Sequence, residues 1–309
     1  MSDAAGVPTH ALRTSCDVCG GAGRPWVARQ GRRLVRCGAC GFAWVPEGLA
    51  RTARGLSIYE DEQLGFFEQQ ADYYHDAGAI DAAREKLAWV VEAARPGGRL
   101  LDVGANFGHF VHAASARFEA VGLEPSAGAV AWGRAHLGVS LHVGSIVEDA
   151  EAFAGRFDVV TLFDVIEHLE DPGQALRACA RALAPGGRLV LSTPDAGSAV
   201  ARLLGARWYH LDLEQHISLF SDATLTRLLA AHGFRVVARR RFGRRYRLAY
   251  IERRLRELGR ENALLRLAGW VARPLRWAPD AHVTINLGDV VALVVEPDPT
   301  SGHTVAASV

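Results

Sequence analysis

Arg99-Leu-Leu-Asp-Val-Gly-Ala-Asn-Phe-Gly-His-Phe110 is an apolar run broken by Gly104 and Gly108 before helical spacing takes over. Its first residues predict a buried strand. The glycines predict a turn whose backbone closely approaches a bound group, where any side chain would collide. Asp102 falls near the carboxyl end of that strand, the edge at which open α/β sheets take ligands. A dinucleotide fingerprint, G-x-G-x-x-G, would seat a pyrophosphate on the helix N-terminus. Here Asn106 stands in the second glycine's place, and the acid just before the turn repels a pyrophosphate but suits a cationic ammonium.

Outward from this turn, short apolar runs at 99–103, 120–123, 141–143, 158–163 and 188–192 alternate with helical spacing at 110–118, 128–136 and 172–183. That alternation predicts a mainly parallel sheet with right-handed crossovers. A helix is expected over 81–94, where Leu87, Val90 and Val91 share a face and Pro96-Gly97-Gly98 stops it. Beyond Pro194 the pattern predicts helices at 195–204 and 222–232, then strands at 234–240 and 290–295. Glu124 ends the second apolar run, where a carboxylate can accept both hydroxyls of a ribose.

The glycine loop, Glu124, Phe-Asp-Val-Val-Thr-Leu-Phe-Asp-Val-Ile-Glu-His-Leu (157–169) and Leu-Ala-Pro-Gly-Gly-Arg-Leu-Val-Leu-Ser-Thr-Pro (183–194) together resemble the class I S-adenosylmethionine-dependent methyltransferases, over residues 80–240. The resemblance implies an α/β fold, a Rossmann-like doubly wound seven-stranded sheet. It implies that Asp102, Gly104, Ala105, Asn106 and Gly108 form the methionine-binding loop, with Glu124 and Pro125 at the ribose. Phe163 then lies at the end of the fourth strand beside the methionine, and Ser145 and Ile146 at the adenine. Ser145 departs from the family pattern, where Asp is common. Upstream aromatics, Tyr73 and Tyr74, are expected either to cover the methionine end or to pack the connector.

Methyl transfer to oxygen or nitrogen needs a nucleophile in line with the methyl carbon and often a base for its proton. A helical turn over 164–168 would put Asp164, Glu167 and His168 on one face, with His168 available as a neutral imidazole. His216 is the second candidate. Related small-molecule methyltransferases carry a His before a similar F-S-x-x-T-L helix start, and Ser221 would cap that helix here. Both histidines are read as catalytic or, equally, as orienting loops beside Glu167 or Glu214. Asp164, Glu167, His168 and His216 also offer a donor set for a divalent ion. Their spacing resembles the E-x-x-E-H pattern of metal-dependent 2′-O-methyltransferases of small RNA and of some quinone-pathway enzymes.

Cys16-x2-Cys19 and Cys37-x2-Cys40, seventeen residues apart, have the spacing of a zinc ribbon. Four thiolates fill a tetrahedral ion completely, so the metal is expected to be structural. Strands at 24–29 and 34–36 are expected around Gln30-Gly31. Disulfides or a redox pair compete with zinc and fit a cytoplasmic chain less well. Cys179 is expected to be plain helix core.

Apolar residues make up 49% and charged residues 22% of the 309-residue chain, whose net charge is +1. This balance gives no general attraction to nucleic acid or anionic membrane. Without an apolar run long enough for a membrane span or a signal-peptide pattern, the expectation is a soluble cytoplasmic protein with no membrane partner. The reading divides the chain into a disordered start (1–13), a zinc-ribbon module (14–46), a connector (47–79), a methyltransferase domain (80–296) and a disordered tail (297–309). An Arg-rich helical insert is expected at about 243–280, within a stretch, 235–276, that holds fourteen Arg.

The cysteine module, the core and Ile-Asn-Leu-Gly-Asp (285–289) look like bacterial methyltransferases of sugar and surface-polysaccharide pathways. The expected methyl acceptor is therefore a small molecule, with O-methylation of a sugar, polysaccharide unit or secondary metabolite preferred. An RNA methyltransferase of the ribosomal type, a sugar C-methyltransferase and a silent binding protein remain as alternatives. Oligomeric state is not legible.

Overall fold

The computed structural model describes residues 12–49, 77–94, 97–248 and 281–299, with positions 270, 271, 274 and 277 between them. Tyr73, Tyr74 and most of the Arg-rich insert lie outside the described residues.

Seven strands form the main sheet. β4 (Arg99–Val103), β5 (Glu119–Glu124), β6 (Leu141–Val143), β7 (Phe157–Phe163) and β8 (Leu183–Pro194) run parallel to one another. β13 (Val290–Pro297) inserts antiparallel between β8 and β10 (Phe234–Arg241), giving the spatial order β10-β13-β8-β7-β4-β5-β6. The chain winds outward in one direction from β4 through β5 to β6. It then returns to β7 on β4's other side, so the order reverses between these two strands. That switch point opens a crevice at the carboxyl ends of β4 and β7.

Helices cover the sheet: α1 (Ala77–Ala93), α2 (His109–Ala114), α3 (Ala127–Leu137), α4 (Ala150–Phe153), α5 (Pro172–Ala182), α6 (Ala199–Leu204) and α7 (Asp222–Ala231). Their starts follow capping chemistry. Ser126, Asp171, Ser198 and Ser221 each accept an amide from the first turn they open, and Ser221 forms a reciprocal capping box with Thr224. α6 begins later than the pattern at 195–204 predicted. The Asp195 carboxylate takes the amides of Gly197 and Asp222, which leaves Ser198 as the cap. Two apolar clusters fill the layers, with Leu101, Val160 and Leu191 in one and Leu100, Val159 and Val190 in the other. Neighbouring strand residues thus point to opposite faces, as a sheet covered on both sides requires.

The cysteine segment does not stand apart. β1 (Gly23–Arg29) and β2 (Arg32–Cys37) form the expected hairpin, and Gln30 (φ 54°) and Gly31 (φ 70°) turn it through the left-handed region. β3 (Ala43–Trp44) pairs with β2, then with β9 (Ser218–Leu219) from the loop after α6. Leu34, Ala43 and Val45 of the hairpin side share one buried cluster with Trp208, Leu211, Leu213, Ile217 and Leu219. A further short ladder joins β11 (Arg244–Arg247) to β12 (His282–Ile285). No helix among the described residues is long and apolar enough to cross a membrane.

Candidate active site

Gly104 and Gly108 both hold left-handed backbone, at φ 73° and 82°. A Cβ on Gly104 would come within 2.5 Å of Val165 Cγ2, and one on Gly108 within 2.8 Å of Val139 Cγ2. The loop is therefore held tight from both the β7 side and the β6 side. Asn106 is left-handed too (φ 50°), a conformation Asn adopts more readily than most residues. Its side chain accepts the Phe107 amide.

Glu124 ties this loop to the next strand. Its Oε2 accepts the Asn106 amide at 2.8 Å and its Oε1 the Ser126 amide at 3.0 Å. Both oxygens are fixed, and each keeps capacity for a further donor. Burial pushes this carboxyl's pKa up, against the pull of the two amides. Asp102 is also buried; Thr161 Oγ1 donates to its Oδ1 at 2.6 Å. Burial raises Asp102 to about 7, with Glu124 adding to the shift and Thr161 and Lys86 opposing it. Ala105 is buried beneath the loop and Pro125 is exposed at its rim. The turn after β6 places Ile146 in the core and half-buries Ser145, whose amide donates to Asp149 Oδ2 at 3.0 Å.

The residues after β7 depart from the expected helical turn. Only Ile166–His168 winds, as a 3₁₀ turn, and Asp164 is left-handed at φ 59°. Asp164 is therefore not part of the set that Glu167 and His168 form with His216. Its Oδ1 accepts from Ser192 at 3.0 Å and its Oδ2 pairs with Lys86 at 3.0 Å. Lys86, the chain's single lysine, looks from the sequence like a trace of base composition. In the fold its Nζ lies on α1, 4.8 Å from the centre of the half-buried Phe163 ring. Sequence reasoning missed it because nothing on α1 itself signals what the helix faces.

Glu167, His168 and His216 do converge. One ligand atom from each lies within 4.8 Å of the others. The two imidazoles meet edge to face, centroids 4.8 Å apart. His168 Nδ1 bonds the Gln215 carbonyl at 2.9 Å, and His216 Nδ1 bonds the His210 carbonyl at 2.7 Å. A carbonyl can only accept, so each Nδ1 carries the proton and Nε2 keeps the ring's lone pair. Burial lowers the pKa of His168, which keeps it neutral. Glu167 Oε2 accepts from Thr193 Oγ1 at 2.9 Å. His210, the weaker candidate in the sequence, is buried with its Nε2 3.6 Å from Asp289 Oδ2, an oxygen to which Trp208 and Tyr209 donate. Asp289, the last residue of Ile-Asn-Leu-Gly-Asp, thereby anchors the loop that carries His216.

At the N-terminus the Sγ atoms of Cys16, Cys19, Cys37 and Cys40 all lie within 4.8 Å of one another, with the pairs Cys16–Cys40 and Cys19–Cys37 at 3.5 Å. Tetrahedral Zn–S bonds put sulfurs about 3.8 Å apart, so the four fit one ion. Burial acts to raise Cys37, but the Cys40 and Ala39 amides and its neighbouring thiols bring it down to about 6. Cys179 is pushed up to about 12 by burial in the core, as an inert thiol should be.

A glycine loop, a buried strand-end acid and a ribose-competent acid, set at the switch point of a sheet of this order, define the class as Rossmann-like, S-adenosylmethionine-dependent methyltransferases. The methyltransferase-domain family matches residues 73–239, more than half of the chain, and the protein belongs to that family. It is 36% identical over 115 residues to the ubiquinone biosynthesis O-methyltransferase of Pseudomonas paraeruginosa, covering 35% of this chain and 50% of that one. It is 39% identical over 118 residues to the enzyme of the same name from Sodalis glossinidius, covering 35% and 47%. The chain thus spans about half the length of the curated relatives it matches. The fold is shared with a SAM-dependent methyltransferase from Archaeoglobus fulgidus, at TM-score 0.50 and 16% identity, over 76% of this chain and 99% of that one.

Proposed function

We propose that this protein transfers the methyl group of S-adenosylmethionine to a hydroxyl oxygen of a small molecule, a sugar, polysaccharide unit or secondary metabolite. The observation that carries the reading is the His168–His216 pair, two imidazoles whose Nδ1 atoms are bound to carbonyls and whose Nε2 atoms are therefore the basic ones. The cofactor supplies an electrophilic methyl on a sulfonium. The chain's residues hold and orient it: Asp102 faces the ammonium, Lys86 the carboxylate, Glu124 the ribose hydroxyls, and Ser145 with Ile146 the adenine. His216, on the loop above the sheet's carboxyl edge, takes the acceptor's proton, with His168 beside it. The relatives' names, which specify O-methylation, support oxygen as the acceptor atom. His216→Ala should lower kcat about 100- to 10,000-fold while leaving S-adenosylmethionine affinity unchanged. A panel of nucleotide sugars and polyhydroxylated metabolites provides the acceptors, and unchanged turnover would remove His216 from the chemistry.

Asp102 sets a pH dependence. Its folded-state pKa is raised, so its contribution to stability is present below the ordinary carboxylate pKa and is lost as pH rises through about 7. Ammonium binding needs the ionised form and therefore grows stronger over that same rise. Calorimetric affinity should increase from about pH 5.5 to about pH 7.5, below the range in which the ligand's own ammonium titrates, and Asp102→Asn should lack that rise.

The convergence of Glu167, His168 and His216 favours a second reading of the same site. A His2Glu set with an open position suits a divalent ion, which would hold and acidify the acceptor's hydroxyl. Turnover that survives EDTA while the cysteine-bound metal remains would exclude this reading. Cys16, Cys19, Cys37 and Cys40 hold a structural zinc. An RNA substrate is less well supported: among the described Arg-rich residues, Arg235, Arg239, Arg240 and Arg241 are committed to Glu296, Asp222, Glu92 and Asp195. A sugar C-methyltransferase would instead transfer methyl to carbon, and product NMR separates the two.

A further inference from the structure

The tip of the ribbon hairpin reaches into the turn that presents His216. Gln30 Oε1 accepts the Leu213 amide at 2.8 Å, and Gln30 Nε2 donates to Asp212 Oδ1 at 3.2 Å. Asp212 in turn organises the turn as far as His216. Its carbonyl accepts the His216 amide at 2.7 Å, and its other carboxylate oxygen accepts from Gln215 Nε2 at 2.9 Å. Gln215 supplies the carbonyl that fixes His168. One glutamine on the cysteine module is thus joined through Asp212 and Gln215 to both imidazoles.

The rest of the module grips the same loop. Arg32 donates to the Leu213 carbonyl at 2.7 Å, and the Val45 amide to the Ile217 carbonyl at 2.9 Å. The Ile217 amide continues the path to the Glu167 carbonyl at 3.0 Å. The hairpin also accepts a local cost to make the reach. Its first turn residue must be left-handed, where Asn or Gly is favoured, yet Gln occupies it at φ 54°. Asn would suit the turn better, but it is one methylene too short to span to Leu213.

From this arrangement we propose that the ribbon is a brace for the histidine loop, and that Gln30 is a positioning residue acting through Asp212 and Gln215 on His216 and His168. The brace rests on reading those two imidazoles as the reacting pair. It makes the four-cysteine module a working part of the methyl-transfer site rather than a separate recognition domain. Metal at the cysteines and geometry at the histidines become coupled through a path of protein hydrogen bonds.

Gln30→Asn is the discriminating variant, because it improves the turn and removes the reach. Hydrogen exchange followed by NMR on the full chain should show the Leu213, His216 and Ile217 amides exchanging about five- to tenfold faster, the scale of one lost net hydrogen bond. The Leu34 and Cys37 amides, bound metal and S-adenosylmethionine affinity should not change, and kcat should fall about tenfold or more as the histidine loop loses its register. Unchanged exchange at the three loop amides would overturn the brace. Faster exchange across the whole hairpin would overturn it too, since Gln30 would then be a turn residue only. Localised loss of protection with undiminished kcat would uphold the brace and instead fault the assignment of His168 and His216.

Discussion

Removing the zinc proposed at Cys16, Cys19, Cys37 and Cys40 is expected to unfold the ribbon and abolish methyl transfer. Without an ion the four sulfurs, within 4.8 Å of one another, lose the bonds that would hold them together, and burial favours the neutral thiols of Cys16 and Cys40. Structural zinc contributes about 10–16 kcal/mol in isolated finger peptides at neutral pH, enough to decide whether so small a hairpin folds. Here the hairpin also buries Phe42, Trp44 and Leu34 against the enzyme core, which offsets part of the loss. The expected result is therefore local. Tryptophan emission should shift to the red as Trp44 is exposed, the 208–220 loop should lose exchange protection, and the main sheet should keep its far-ultraviolet signature. A chelated protein that keeps its emission maximum and its turnover would refute this account. Cys37→Ser provides the same test without a chelator.

Glu124→Ala should weaken S-adenosylmethionine binding about 100- to 10,000-fold, corresponding to two charge-assisted hydrogen bonds of about 1.5–3 kcal/mol each. The residue does two jobs at once. Its oxygens are the proposed acceptors for the ribose hydroxyls, and they already hold the Asn106 and Ser126 amides that shape the glycine turn. Removing the side chain leaves two amides without their acceptor at a buried position, so the loop relaxes before any ligand arrives. Glu124→Gln separates the two roles, because its amide keeps one acceptor oxygen and turns a donor toward the other N–H. It should fall between native and alanine. Equal calorimetric affinity in all three proteins would remove Glu124 from the cofactor site.

The glycine turn and the strand-end acid were legible for a local reason. Gly104, Asn106, Gly108 and Glu124 act through backbone conformation and strand-end position, and both are written in short stretches of chain. The four cysteines were legible in the same way, since a knuckle is made by two residues' spacing. The histidines were half legible. Their presence could be read, but the expected helical face for Asp164 could not survive a left-handed backbone at that residue. Lys86 was invisible, because its meaning depends on Asp164 and Phe163, both more than seventy residues away.

What the amino-acid sequence determined by itself, then, is local: a parallel sheet, a glycine turn after its first strand and acids at two strand ends. Each follows from periodicity or spacing within a few residues. What only the tertiary structure decided is the company those residues keep. β3 pairs with β9 across more than 170 positions, Gln30 reaches Leu213, and Asp289 anchors Trp208 and Tyr209. These contacts are hydrogen bonds between segments whose local patterns are independent, so no periodicity encodes them. The glycine turn at 104–108 was readable because its reason is local; the loop that answers it from above was placed by a hairpin at the far end of the chain.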